Sequence, residues 1–132
     1  MASTERIAGF PTHVVRLGGG VRRVLFIHGS LGSVATWAKV QAPLLSKLAM
    51  TAFDRPSHGD SAAWNGDGGA RGLHTLTTTI AADLIDGRAD IVGHSYGATV
   101  ALRLALDLPH RVRSLTLIEP PLLTLAKGTQ AW

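Results

Sequence analysis

Apolar and polar positions change period several times along the chain, and each change predicts an element. Thr12–Leu17 has the make-up of a strand, closed by Gly18-Gly19-Gly20 as a hairpin-type turn. Arg22–Ile27 contains the unbroken run Val-Leu-Phe-Ile, which suits a strand buried on both faces. From Ser33 to about Leu48 the period becomes helical, with Pro43 bending or dividing the helix. Met50–Phe53 is a short strand running into the loop Asp54-Arg55-Pro56-Ser57-His58-Gly59-Asp60-Ser61. Leu76, Ile80, Leu84 and Ile85 recur at helical spacing, so Thr75–Ile85 is expected to be an amphipathic helix. Asp90–Gly93 is a short buried strand. Ala98–Leu108 is apolar nearly all round, which predicts a largely buried helix stopped by Pro109. Ser114–Ile118 is the last strand, and the tail to Trp132 is a loop or the start of another helix.

After the initial hairpin, strands and helices alternate. That order predicts an α/β fold, a mostly parallel sheet with helices on both faces, in one domain spanning residues 1–132. No repeat or linker interrupts it. Of the residues, 45% are apolar and 17% charged, which excludes a disordered chain. No apolar run is long enough to cross a membrane, and Met1–Phe10 has no apolar core of a signal peptide. A cytoplasmic location is the expectation. With no cysteine, disulfide scaffolds, thiol catalysis and cysteine zinc sites are excluded.

The net charge of +4 comes mostly from arginine, ten against three lysines. Arg22-Arg23 and Arg111-Val112-Arg113 are the clusters, and both flank strands. Aromatic residues are 5% of the chain, too few for base-stacking platforms, so no nucleic-acid partner is expected. Gly66, Gly68 and Gly72 have a spacing used by some dinucleotide binders, but no strand precedes them, and the stretch from Trp64 to Gly72 is expected to be a loop. No H-x-H or H-E-x-x-H spacing points to a metal, and no cofactor is implied.

The chemistry is carried by Gly93-His94-Ser95-Tyr96-Gly97, which fits G-x-S-x-G between a buried strand and a buried helix. A sharp strand-to-helix turn needs strained backbone at the serine, and glycine at Gly93 and Gly97 where side chains would collide. The turn lifts the Ser95 hydroxyl clear of the sheet and leaves the Tyr96 amide at the positive end of the following helix.

On these residues the chain resembles the α/β-hydrolase family. Three motifs occur in its order: His28-Gly29-Ser30 after a strand, the Asp54–Ser61 loop, and the elbow at Ser95. The stretch Ser114–Pro120 resembles the next strand, and the resemblance runs from about Thr12 to Leu123. It implies that the strands ending at His28 and Ser95 are neighbours where the winding direction reverses, the place where ligands bind in open α/β sheets. It implies Ser95 as nucleophile, with the amides of Ser30 and Tyr96 as an oxyanion hole and Leu31 as fallback for the first donor. The substrate would be a small molecule with an ester, lactone or similar carbonyl.

The resemblance also implies a base and an acid, in the chain order serine, acid, histidine. Asp107, His110 and Glu119 follow Ser95. The helix after Ser95 carries Asp107 and His110 roughly 16 Å away. Glu119 ends a strand on the catalytic edge and is a candidate acid, or a wall of the site. His94 should point away from the serine by strand alternation. His28 shapes the oxyanion loop, and His58 should lie about 10 Å to the side, two strands over. His13 and His74 are placed as a strand residue and a helix-start residue, and Asp54 with its loop as structural.

The expectation is therefore a truncated hydrolase, an N-terminal portion lacking the family's last two strands and the segment with the catalytic histidine. Its last strand should expose an apolar edge around Leu115, Leu117 and Ile118, inviting self-association. Two alternatives remain: a non-catalytic binding module on a degenerate hydrolase fold, or a half-enzyme completed by a second chain.

Overall fold

The computed structural model describes residues 1–121. The expected loop or helix in the tail to Trp132, and the end of the resemblance at Leu123, lie outside the described residues. One six-stranded sheet has the order β1-β2-β4-β3-β5-β6. The strands are β1 (Ala2–Ile7), β2 (Phe10–Leu17), β3 (Arg22–Ile27), β4 (Leu48–Phe53), β5 (Ala89–His94) and β6 (Val112–Ile118). The helices are α1 (Ala38–Gln41), α2 (Gly69–Leu84) and α3 (Tyr96–Asp107). Strands β3 to β6 run parallel, while β1 and β2 form an antiparallel hairpin whose second strand pairs antiparallel with β4. The α/β class and mostly parallel sheet expected from the alternating pattern are present.

The unbroken apolar run of β3 has a simple cause. Leu25 and Ile27 face one layer with Ile80, Ala81, Val100 and Leu104 of α2 and α3. Val24 and Phe26 face the other with Trp37, Met50 and Ala52, near α1. A central strand covered on both faces has no polar side.

Several boundaries differ from expectation. Strand β1 precedes the first one expected, joined to β2 through Ala8 (φ 51°) and Gly9 (φ 74°). Two left-handed residues make the turn whose twist suits a two-residue hairpin. Gly18–Gly20 does not close a hairpin to β3, because β4 lies between β2 and β3. A Cβ on Gly18 would sit 2.0 Å from the Leu48 carbonyl oxygen and one on Gly20 2.1 Å from that of Lys47, so glycine lets the chain pass against the start of β4. The long helix expected from Ser33 is instead a short 3-10 turn (Val34–Trp37), α1, and a second 3-10 turn (Ala42–Leu44). Ser33 and Thr36 form a capping box at its start, and Pro43 ends the regular part.

Helix α2 begins at Gly69, inside the stretch expected to be a loop. The hydroxyls of Thr77, Thr78 and Thr79 bond back to the carbonyls of Leu73, His74 and Thr75, which satisfies these poor helix formers. On β6, Leu115 and Leu117 pack against the α2–α3 core rather than lining an exposed edge, while Ile118 is 39% exposed. The apolar edge expected there is reduced to Ile118, because side chains alternate along the strand. No described helix is long and apolar enough to cross a membrane.

Candidate active site

The direction in which strands are added to the sheet reverses at β3 and β5, which are parallel neighbours: β4 lies on one side of β3 and β5 on the other. Their C-terminal ends bring His28 and Gly29 beside Ser95. The Ser95 backbone is strained, at φ 53° and ψ −118°, between the end of β5 and the start of α3. Its amide donates to the Ile118 carbonyl at 2.9 Å, tying the turn to β6.

The flanking glycines are required by contact. A Cβ on Gly97 would lie 2.1 Å from the Ile27 carbonyl oxygen, and one on Gly93 would lie 2.5 Å from that of Gly97 and 2.7 Å from Ala98 Cα. Gly29 is as constrained from the other side, since its Cβ would meet Ser95 Cβ and His94 Nδ1 at 3.0 Å each. The loop after β3 thus lies directly against the serine.

Among the described residues, the amides of Ser30 and Tyr96 donate to no protein acceptor. The Tyr96 amide is the first of α3, where helix geometry leaves donors free and favours negative charge. Leu31 is different. Its amide is directed at His58 Nε2, 3.3 Å away, and its backbone is left-handed at φ 64°. Leu31 is therefore engaged elsewhere, which leaves Ser30 as the available donor of that loop.

Beneath the loop lies a buried polar cluster. His28 is fully buried; its Nδ1–H donates to the Gly29 carbonyl (2.7 Å), and its Nε2 accepts the Arg55 amide (3.0 Å). Burial pushes its pKa down to about 4. Arg55, 2% exposed, donates through Nε to the His28 carbonyl at 2.9 Å, and burial lowers its pKa to about 10. Burial raises the pKa of the Tyr96 phenol.

Asp54 fastens the following loop, accepting the amides of Val34 and Asp60 at 2.8 Å each. A Cβ on Gly59 would lie 2.1 Å from the Asp54 carboxylate. His13, Asp54 and Asp60 bring ligand atoms within 4.8 Å of one another, but both Asp54 oxygens are already bonded to amides. These three are a loop fastening.

His58 comes from the loop after β4, two strands from β5, and packs beside His28 at the end of β3. Its ring centroid lies 5.1 Å from that of His28, against the oxyanion loop. The turn Arg55–His58, closed by a 2.9 Å bond from the His58 amide to the Arg55 carbonyl, doubles the chain back. Pro56 in its second position and left-handed Ser57 (φ 68°) in its third are the signature of a type II turn.

Glu119 directly follows the end of β6, with a left-handed backbone (φ 51°). Its carboxylate faces His94 Nε2 at 3.6 Å. Among the described residues no histidine hydrogen-bonds the Ser95 hydroxyl. Asp107 and His110 are exposed at the far end of α3, with Asp107 paired to Arg103 at 3.5 Å. A cavity of about 590 Å³ opens at the opposite edge of the sheet among Arg16, Arg23, Met50 and Asp86, away from Ser95.

The family model of the alpha/beta hydrolase fold matches residues 22–132. The chain belongs to the α/β-hydrolase family. Among its curated relatives is an esterase of Mycobacterium tuberculosis, 34% identical over 121 residues, covering 90% of this chain and 40% of the esterase. Another is the dihydrolipoyllysine-residue acetyltransferase component of an acetoin cleaving system from Cupriavidus necator, 33% identical, covering 86% of this chain and 30% of that protein. Among solved structures, the thioesterase domain from the curacin biosynthetic pathway superposes with a TM-score of 0.80 at 26% identity, covering 92% of this chain and 47% of that one. The α/β-hydrolase chain thus spans less than half the length of these relatives.

Proposed function

We propose that this α/β-hydrolase chain carries the nucleophile and oxyanion-binding part of a serine hydrolase that acts by acyl transfer on an ester, lactone or similar carbonyl of a small molecule. One observation carries the reading: Ser95 stands on a strained elbow, pressed against Gly29, and the amides next in sequence to these two residues, those of Tyr96 and Ser30, have no protein acceptor among the described residues. Ser95 Oγ would attack the carbonyl carbon, and its proton would pass to a base. The carbonyl oxygen would gather negative charge between the two amides. The bond to the leaving alcohol would then break, that alcohol taking the proton, and water would release the acid from Ser95.

The base is not among the described residues that bond Ser95, so the reading requires a histidine from elsewhere, in a continuing segment or a second chain. Glu119 retains its candidacy as acid through its place at the end of β6, and its contact with His94 also fits a wall of the site. Self-association belongs to the same reading. Among the described residues no strand pairs with the outer side of β6, and unpaired strand edges recruit other chains.

The test joins this chain to the C-terminal remainder of the related mycobacterial esterase. The expected result is hydrolysis of p-nitrophenyl butyrate that Ser95→Ala lowers by about a thousandfold or more. A folded chimaera whose rate is indifferent to Ser95 would contradict it.

A further inference from the structure

We propose that His58 is a positioning residue for the oxyanion loop, its neutral imidazole holding the Ser30–Leu31 peptide in place. The inference rests on the reading of Ser30 as an oxyanion donor. The imidazole is anchored at one nitrogen and used at the other. Nδ1–H donates to the Pro56 carbonyl at 3.0 Å, which leaves Nε2 with a lone pair. That lone pair receives the Leu31 amide at 3.3 Å and Arg55 Nη2 at 3.3 Å.

The held peptide needs a holder. Leu31 is left-handed at φ 64°, a conformation unfavourable for a residue with a β-carbon, and its side chain is 99% exposed and contributes no packing. The bond to His58 crosses 27 residues of sequence and fastens the outer peptide of the loop. The inner end is fixed by the turn from the Gly32 amide to the Gly29 carbonyl at 3.1 Å. Ser30, between these two fastenings, has no side-chain or amide bond of its own among the described residues. Its orientation is inherited from them.

The neutral form is essential to this role. A proton on Nε2 would turn the acceptor into a donor facing the Leu31 N–H and the Arg55 guanidinium. Around the ring stand Arg55 from its own loop, His28 from the end of β3, and Tyr96 from α3 behind Arg55. Glutamine can present an amide oxygen near the position of Nε2, whereas phenylalanine keeps the ring's bulk without an acceptor.

Three measurements on the full chain test the proposal. Long-range proton–nitrogen NMR should find His58 protonated at Nδ1 and bare at Nε2; the opposite tautomer overturns the proposal without any variant. Hydrogen exchange at the Leu31 amide should speed up about tenfold or more in His58→Phe, and return most of the way in His58→Gln. Unchanged exchange in a folded His58→Phe, or glutamine no better than phenylalanine, overturns it. At pH 9, where hydroxide can take the Ser95 proton, the rate at which a fluorophosphonate labels Ser95 should fall in His58→Phe and recover in His58→Gln. Exchange that responds while labelling does not would overturn the positioning role. An unmodified Ser95 in the parent chain would instead refute the serine reading, and the exchange result would still stand.

Discussion

The guanidinium carbon of Arg55 lies 4.4 Å from the centroid of the Tyr96 ring. Arg55 pairs with no carboxylate among the described residues, although it is 2% exposed. Its charge is met by the His28 carbonyl, His58 and the electron-rich ring face. Even with its pKa lowered to about 10 it stays charged at neutral pH. The residue that follows Ser95 therefore covers the cation that bonds the His28 carbonyl, at the start of the loop after β3.

That arrangement separates the ring from the hydroxyl of Tyr96. Tyr96→Phe should leave stability within about 0.5 kcal/mol, whereas Tyr96→Leu should cost roughly 2 kcal/mol through loss of the cation–π contact and packing. Urea denaturation of both variants checks this. Equal losses would assign the effect to the hydroxyl or to volume alone.

The elbow is held by backbone approach, so its glycines cannot be exchanged. Gly97→Ala, whose Cβ would enter the Ile27 carbonyl at 2.1 Å, should cost at least about 3 kcal/mol or abolish folding. Ser95→Gly should act in the opposite direction, raising stability by about 1 kcal/mol, because glycine accepts φ 53° without strain. Thermal unfolding of the two variants gives opposite signs if the strain is real.

Acid should weaken the fold through His28. Its pKa is lowered from 6.5 unfolded to about 4 folded, so between these values the unfolded chain binds the proton and the folded chain does not. The contribution is complete above about pH 6.5 and is lost as pH falls toward about 4, amounting to roughly 3 kcal/mol. Denaturation midpoints in His28→Asn should fall less steeply over that window. An identical pH slope in the variant would remove His28 from the account.

Much of this fold was legible because its signals are local. The apolar run of β3, the G-x-S-x-G turn and the apolar α3 each specify their own geometry. Strand β1 was not, since Ala2–Ile7 offers neither alternation nor an Asn-Gly turn, and its stability comes from pairing with β2 and an Arg16–Glu5 ion pair. Gly18–Gly20 is ambiguous in sequence, because three glycines permit a hairpin and a backbone crossing equally, and the structure uses the crossing. In the site, Ser95 and its glycines could be placed from the motif. Arg55 and His58 could not, since their roles depend on a turn that folds the loop after β4 across to β3.

The outer edge of β6 yields a further prediction. The chain should form dimers or larger species whose proportion rises with concentration in light scattering. Thr116→Lys, an exposed position on that strand, should reduce them by placing charge on the edge. A monomer at all concentrations would contradict self-association through β6.

Covalent labelling of Ser95 tests the central claim most directly, since it can be read without the missing base. At pH 9, hydroxide can take the Ser95 proton while Oγ displaces fluoride from a fluorophosphonate. Peptide mass spectrometry locates the phosphorus. The account predicts one modified residue, Ser95, and no modification in Ser95→Ala. Label spread over other serines, or absent from folded protein, would contradict the reading of Ser95 as a nucleophile.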